Sequence, residues 1–155
     1  MNKAVVTVEP VRHDIVLTRV FDAPRELVFK TYTDPELIPR WWGPRNLTTK
    51  VERMDVRPGG GWRFVQRDSE GHEFAFHGVY HEVSPPDRIV DTFEFEGMPG
   101  HVALETTTLE DLGGKTRLTT ITVFQTIEDR NGMVASGMEQ GASESMDRLE
   151  ELLGR

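Results

Sequence analysis

The chain contains no cysteine among its 155 residues. Disulfides, thiolate nucleophiles and cysteine-ligated metals are excluded at once. No stretch approaches the ~18 consecutive apolar residues of a membrane-spanning helix. Basic residues are in deficit: 18 Lys and Arg stand against 26 Asp and Glu, a formal net charge of −8. Such a chain repels phosphate backbones and anionic lipid surfaces, so neither nucleic acid nor membrane is an expected partner. Residues 1–10 lack the basic start and apolar run of a secretory leader, which makes the cytoplasm the expected location. What is present is enough for one domain over residues 1–155, with 1–10 as a tail or half-strand. A chain of this size buries about 69% of its unfolded surface, so a core forms without metal or disulfide help.

The hydropathy period sets the element order. Residues 12–21 (RHDIVLTRVF) alternate and are rich in β-branched types, which predicts a strand. Asp22-Ala23-Pro24 opens a short helix over 24–32, with Pro at a first helical position. Asp34-Pro35-Glu36 repeats that signal, and Pro39 limits the second helix to a turn or two. From Asn46 the period becomes two, giving strands near 47–55, 61–68, 73–83, 88–96, 101–110 and 115–124. They are separated by turns such as Arg57-Pro58-Gly59-Gly60 and Asp111-Leu112-Gly113-Gly114. Residues 129–153 return to helical spacing, with Val134, Met138, Gly141, Ala142, Ser145, Leu149 and Leu152 on one stripe and a cap at Asp129 or Asn131. The order β-α-α-β6-α predicts an α+β fold: about seven antiparallel strands covered by one long C-terminal helix.

Several familiar chemistries fail on spacing or context. His72-Glu73 begins a zinc-protease motif, but His77 falls one position late and the segment alternates as a strand. His77 and His81 lie roughly 13 Å apart along that strand, too far to share a metal. Gly59-Gly60-Gly61 feeds a strand, whereas a phosphate loop must feed a helix N-terminus. Gly141-Ala142-Ser143-Glu144-Ser145 lies inside a helix and misses the last glycine of a nucleophile elbow. Alternation sends Glu94, Glu96 and Glu105 away from Phe93, Phe95 and Leu104, so no acid–base pair is assigned. No metal or cofactor is implied.

The aromatic pattern carries more. Trp62, Phe64 and Gln66 share a face. So do Phe74, Phe76, Gly78 and Tyr80, then Ile89, Asp91, Phe93 and Phe95. Val102, Leu104, Thr106 and Thr108 extend it, followed by Leu118, Thr120, Thr122 and Phe124. The covering helix carries Gly137, Gly141, Ala142 and Ser145 on its central stripe, none of them bulky. Each interior glycine costs ~1 kcal/mol relative to alanine. A helix that stands off a bulky sheet face leaves a cavity, and close-packed interiors keep cavities for ligand or water. Arg19 and Asp91 fall in phase with the apolar face and either pair together or orient a polar ligand head.

The series Leu17-Thr18-Arg19-Val20-Phe21-Asp22-Ala23-Pro24, Thr33-Asp34-Pro35-Glu36, Arg40-Trp41-Trp42-Gly43-Pro44, Arg57-Pro58-Gly59-Gly60, Pro85-Pro86-Asp87-Arg88-Ile89-Val90 and Ser136-Gly137-Met138-Glu139-Gln140-Gly141 resembles the SRPBCC (START-like) superfamily. Its nearest branch is the one named after the activator of the large heat-shock chaperone's ATPase. The resemblance spans about residues 12–153 and implies a helix-grip fold, a curved sheet wrapped on a long C-terminal helix around a cavity. Relatives bind lipids, sterols, polyketides or plant hormones, some are aromatase/cyclases, and eukaryotic namesakes stimulate a chaperone ATPase. The superfamily shares no fixed catalytic residues, so none is carried over.

The expected function is therefore binding of a small hydrophobic molecule, aromatic ones included, between the sheet and the C-terminal helix. Its candidate contacts are Trp62, Phe64, Phe76, Tyr80, Phe93, Phe95, Leu104, Thr106, Thr120, Met138, Gly141, Arg19 and Asp91. The alternatives are a cyclase, dehydratase or hydrolase working in the same cavity through Arg19, Asp91, Tyr80 or Thr120, and a chaperone partner using an apolar patch at Trp41 and Trp42, although the preferred reading of these tryptophans is packing of the second helix over the cavity rim. A homodimer remains open.

Overall fold

A computed structural model describes residues 3–154. Eight strands form one antiparallel sheet in the order β1-β2-β8-β7-β6-β5-β4-β3. They are β1 (Val5–Thr7), β2 (Asp14–Phe21), β3 (Thr48–Met54), β4 (Gly61–Arg67), β5 (Glu73–Ser84), β6 (Arg88–Phe95), β7 (Val102–Asp111) and β8 (Thr116–Val123). The helices are α1 (Arg25–Thr33), α2 (Ile38–Trp41), α3 (Ile127–Ala135) and α4 (Met138–Leu153). The α+β helix-grip expectation holds, with one strand more than predicted. The tail of the sequence reading supplies it: Val5–Thr7 pairs with Val16–Thr18. The pairing of β2 with β8 brings the first long strand beside the last, and the two helices between β2 and β3 are carried across the inner face.

The six-strand meander runs within a residue or two of its predicted bounds, because glycine and proline turns end each strand where the alternation stops. Inner-face residues of β2 and β8 meet those of α4 in the core, where Phe21, Leu118 and Leu149 are fully buried. Truncating a buried aromatic or leucine of this kind costs ~2–5 kcal/mol.

Two expectations are corrected. The single helix over 129–153 is two helices. Thr126 caps the first, its Oγ1 accepting from the Asp129 N–H at 3.0 Å, so Asp129 and Asn131 lie inside the helix. Gly137 then breaks the run with φ +87°, a left-handed conformation that glycine adopts at little cost. The second correction is the parity of β7. Leu109 pairs with Leu118 and Phe93 with Ala103, which turns Ala103, Glu105, Thr107 and Leu109 inward. Leu104 faces outward at 43% exposure beside Val123, and Thr106 pairs with Ile121 on that same outer face. β7 carries apolar residues on both parities, and only its neighbours choose between them.

Candidate functional site

The helix that was expected to roof the cavity does not touch it. Ser145 of α4 accepts from the Gly43 N–H at 2.6 Å and donates to the Trp41 carbonyl at 3.2 Å. Arg148 donates to the Gly43 carbonyl at 2.9 Å. The small residues of α4 thus let the α2 turn and the loop after it pass between helix and sheet. This intervening layer forms the roof. Trp41 is pinned by its indole N–H donating to the Thr31 carbonyl at 3.2 Å, and its ring lies 4.8 Å from Tyr32. Trp42 meets Phe64 and Phe76 edge-on at 5.0 and 5.5 Å.

Beneath this roof lies a cavity of about 120 Å³. Tyr32, Trp41 and Trp42 close it from the helical side, while Trp62 and Phe64 of β4, Tyr80 of β5, Asp91 and Phe93 of β6, and Glu105 and Thr107 of β7 form its floor and walls. Asp91 and Glu105 are directly paired across β6 and β7. Residues so placed have Cβ atoms ~4.5–5.5 Å apart, so their carboxyl groups feel each other. Burial, reinforced by the charge of Glu105, raises Asp91 well above the usual carboxylate range. Burial likewise pushes Glu105 up to about 7, against a weak opposing contact from the Thr122 hydroxyl at 3.5 Å. The Tyr80 and Tyr32 phenols are pushed upward by burial and by the same two carboxyls, and stay neutral donors. The lining residues include no Lys, Arg or His.

Trp62 completes the floor. It is 4% exposed, and its Nε1–H has no hydrogen-bond partner. The N–H lies close enough to Asp91 to favour the ionised carboxyl, yet no bond is formed. Gly78 sits directly behind the indole. A Cβ there would strike the Thr92 carbonyl and the indole nitrogen, so the glycine is what lets the ring lie flat on β5.

Of the expected contacts, Trp62, Phe64, Tyr80, Asp91 and Phe93 line this cavity. Phe76 stands one layer back, its ring stacked on Phe93 at 5.5 Å, and Phe95 lies behind it at 5.2 Å. Thr120 bonds Thr107 at 3.0 Å. Leu104 and Thr106 face outward, as described. Met138 packs with the Ile15, Ala103 and Phe124 cluster. A side chain at Gly141 would meet open space. Arg19 does not pair with Asp91. Its guanidinium is held by Asp147 at 2.6 Å and Glu150 at 2.7 Å from α4, beyond the cavity. The sequence reading missed Glu105, Thr107 and Tyr32, while its preferred placement of Trp41 and Trp42, the second helix packed over the cavity rim, is where the structure has them. Pairing Leu109 with Leu118 was the available signal for Glu105.

A larger hollow of about 710 Å³ lies over the β3–β4–β5 edge. Its cations are already neutralised: Arg63 binds Glu96 at 2.8 Å, Arg67 binds Glu73 at 2.8 Å, and Lys50 meets Glu52 at 3.2 Å. Nothing in it is left to recognise a ligand charge. No helix among the described residues is long and apolar enough to cross a membrane.

The family model described as Activator of Hsp90 ATPase homolog 1-like protein matches residues 22–154. The chain belongs to that family. No protein of curated function matches it. Among solved structures, a protein from Arthrobacter aurescens is 25% identical with a TM-score of 0.90, over 97% of this chain and 91% of that one. Protein CV1439 of Chromobacterium violaceum is 27% identical with a TM-score of 0.83, over 92% and 98%. Protein NE0264 of Nitrosomonas europaea is 28% identical with a TM-score of 0.82, over 94% and 97%. Each shares this helix-grip architecture over nearly its full length.

Proposed function

We propose that this family member binds a small, largely aromatic ligand in the cavity between the sheet and the α1–α2 layer. The observation that carries the reading is a cavity of about 120 Å³ bounded by aromatic rings from five elements. An apolar cavity of ~150 Å³ takes up benzene, so this one suits a single ring. The experiment is a titration of the protein with benzyl alcohol and toluene, followed by amide and indole NMR shifts. Saturable shifts at Trp62 and Phe93 are expected, and the absence of any saturable shift overturns the reading.

A second reading, a cavity enzyme, is favoured by the Asp91–Glu105 pair. Two carboxyls with raised proton affinity in one enclosed site are the usual equipment for general acid–base work. The chaperone-stimulating role in the family's name has less support. Trp41 is 2% exposed and Trp42 half-buried, so the apolar surface patch that would favour a protein partner is not formed there.

A further inference from the structure

An aromatic binding site normally keeps only the polar groups that its occupant needs. This one keeps two that the fold leaves unanswered. Asp91 and Glu105 face each other with no cation on any lining position. The Trp62 Nε1–H is shut off from the cavity space, its nitrogen lying against Gly78 and beside Asp91. An anionic ligand would meet two acids and no base. A hydrocarbon would displace solvent from both acids and offer them no partner, which is costly. A protonated amine answers both acids, and its charge is also attracted to the ring faces of Trp42, Trp62 and Tyr80.

We propose that the occupant is a small one-ring amine, bound as its cation to the Asp91–Glu105 pair. The proposal rests on the cavity-binding reading above and deepens it. The amine enters protonated, and the acid pair releases to solvent whatever proton it holds at that pH. No bond is made or broken. The titratable groups facing the pair are Tyr80 from β5 and Tyr32 from α1, both neutral, while β4, β8 and α2 present no charged side chain to it.

Three isosteric probes test it on the full-length protein by calorimetry: 4-hydroxybenzylamine, 4-hydroxybenzyl alcohol and 4-hydroxybenzoate. The amine is expected to bind at least tenfold more tightly than the alcohol at pH 7.5, and the acid not at all. Amine affinity should rise between pH 5.5 and 8, with proton release read from two buffers of different ionisation heat. Glu105→Gln and Asp91→Asn should each lower amine affinity at least tenfold while leaving the alcohol unchanged or tighter. If one of them does not fold, the three wild-type titrations still decide. Alcohol binding as tight as amine binding overturns the amine inference and leaves the cavity-binding reading standing. If no one-ring compound binds, both fall together.

Discussion

Asp91 and Glu105 stand opposite each other on neighbouring antiparallel strands, both turned into an aromatic cavity that contains no basic residue. A pair of acids in such a place is a cost to the fold. Each carboxyl is easier to bury protonated than ionised, and ionising one makes the other harder to ionise. The arrangement is therefore readable in stability, independently of any ligand.

The pH dependence of unfolding should expose it. Glu105 is raised from 4.5 to about 7, so between these values the folded protein holds more protons than the unfolded chain. Its contribution is fully present below pH ~4.5 and is lost as pH rises through ~7, a slope worth about 2–3 kcal/mol. Glu105→Gln should flatten that slope and make the protein more stable than wild type at pH 8. Urea midpoints at pH 5 and pH 8 for both proteins measure this. A wild-type stability that rises across that window, with no difference in the variant, would count against the raised proton affinity of the pair.

Glu96 predicts the opposite limb. The Arg63 guanidinium grips it at 2.8 and 2.9 Å, and His77 adds a third contact, holding its carboxyl down to about 2. Its stabilisation is present above pH ~4.5 and lost as pH falls toward 2. Arg63→Ala should remove that dependence, leaving the variant less stable than wild type above pH ~5 by a margin that closes as pH falls toward 2. Far-ultraviolet circular dichroism along an acid titration reads it out. The pair is partly solvated, so the effect at neutral pH should be small.

Arg19→Ala separates the observed role of this arginine from the expected one. Its buried guanidinium joins β2 to Asp147 and Glu150 of α4. Breaking such a pair costs ~3–5 kcal/mol when fully buried, and about 3 kcal/mol suits acids that keep some solvent. Ligand affinity at a temperature where the variant is folded should not change. Loss of binding without loss of melting temperature would place Arg19 at the site instead.

Gly141→Ala tests whether α4 roofs the cavity. A Cβ there meets open space. The variant should gain ~1 kcal/mol from helix propensity and bind probes as wild type does. Weakened binding would mean that the helix faces the ligand after all.

Phe93→Ala should cost up to the ~3–5 kcal/mol typical of a truncated core phenylalanine, the half-burial of this ring placing it at the low end. It should also enlarge the cavity and favour bulkier probes over benzyl alcohol, as measured by paired thermal melts and titrations.

The sequence alone determined the strand-helix-helix start, the six-strand meander and the aromatic character of the inner face. These follow from local rules: alternation, turn residues and helix-start prolines act over a few positions. It also singled out Trp62, Tyr80, Asp91 and Phe93, because each lies on a strand whose parity is unambiguous. Other features depended on partners distant in the chain. β7 could be read on either face until Leu109 met Leu118, and that register alone brought Glu105 opposite Asp91. The break at Gly137 needed a backbone angle that composition does not reveal. The roof depended on which helix lay nearest the sheet. Small residues at Ser145 and its neighbours signal close approach, but not of what. Only the assembled fold showed that the Trp41–Gly43 segment fills that space and that the cavity lies beneath it.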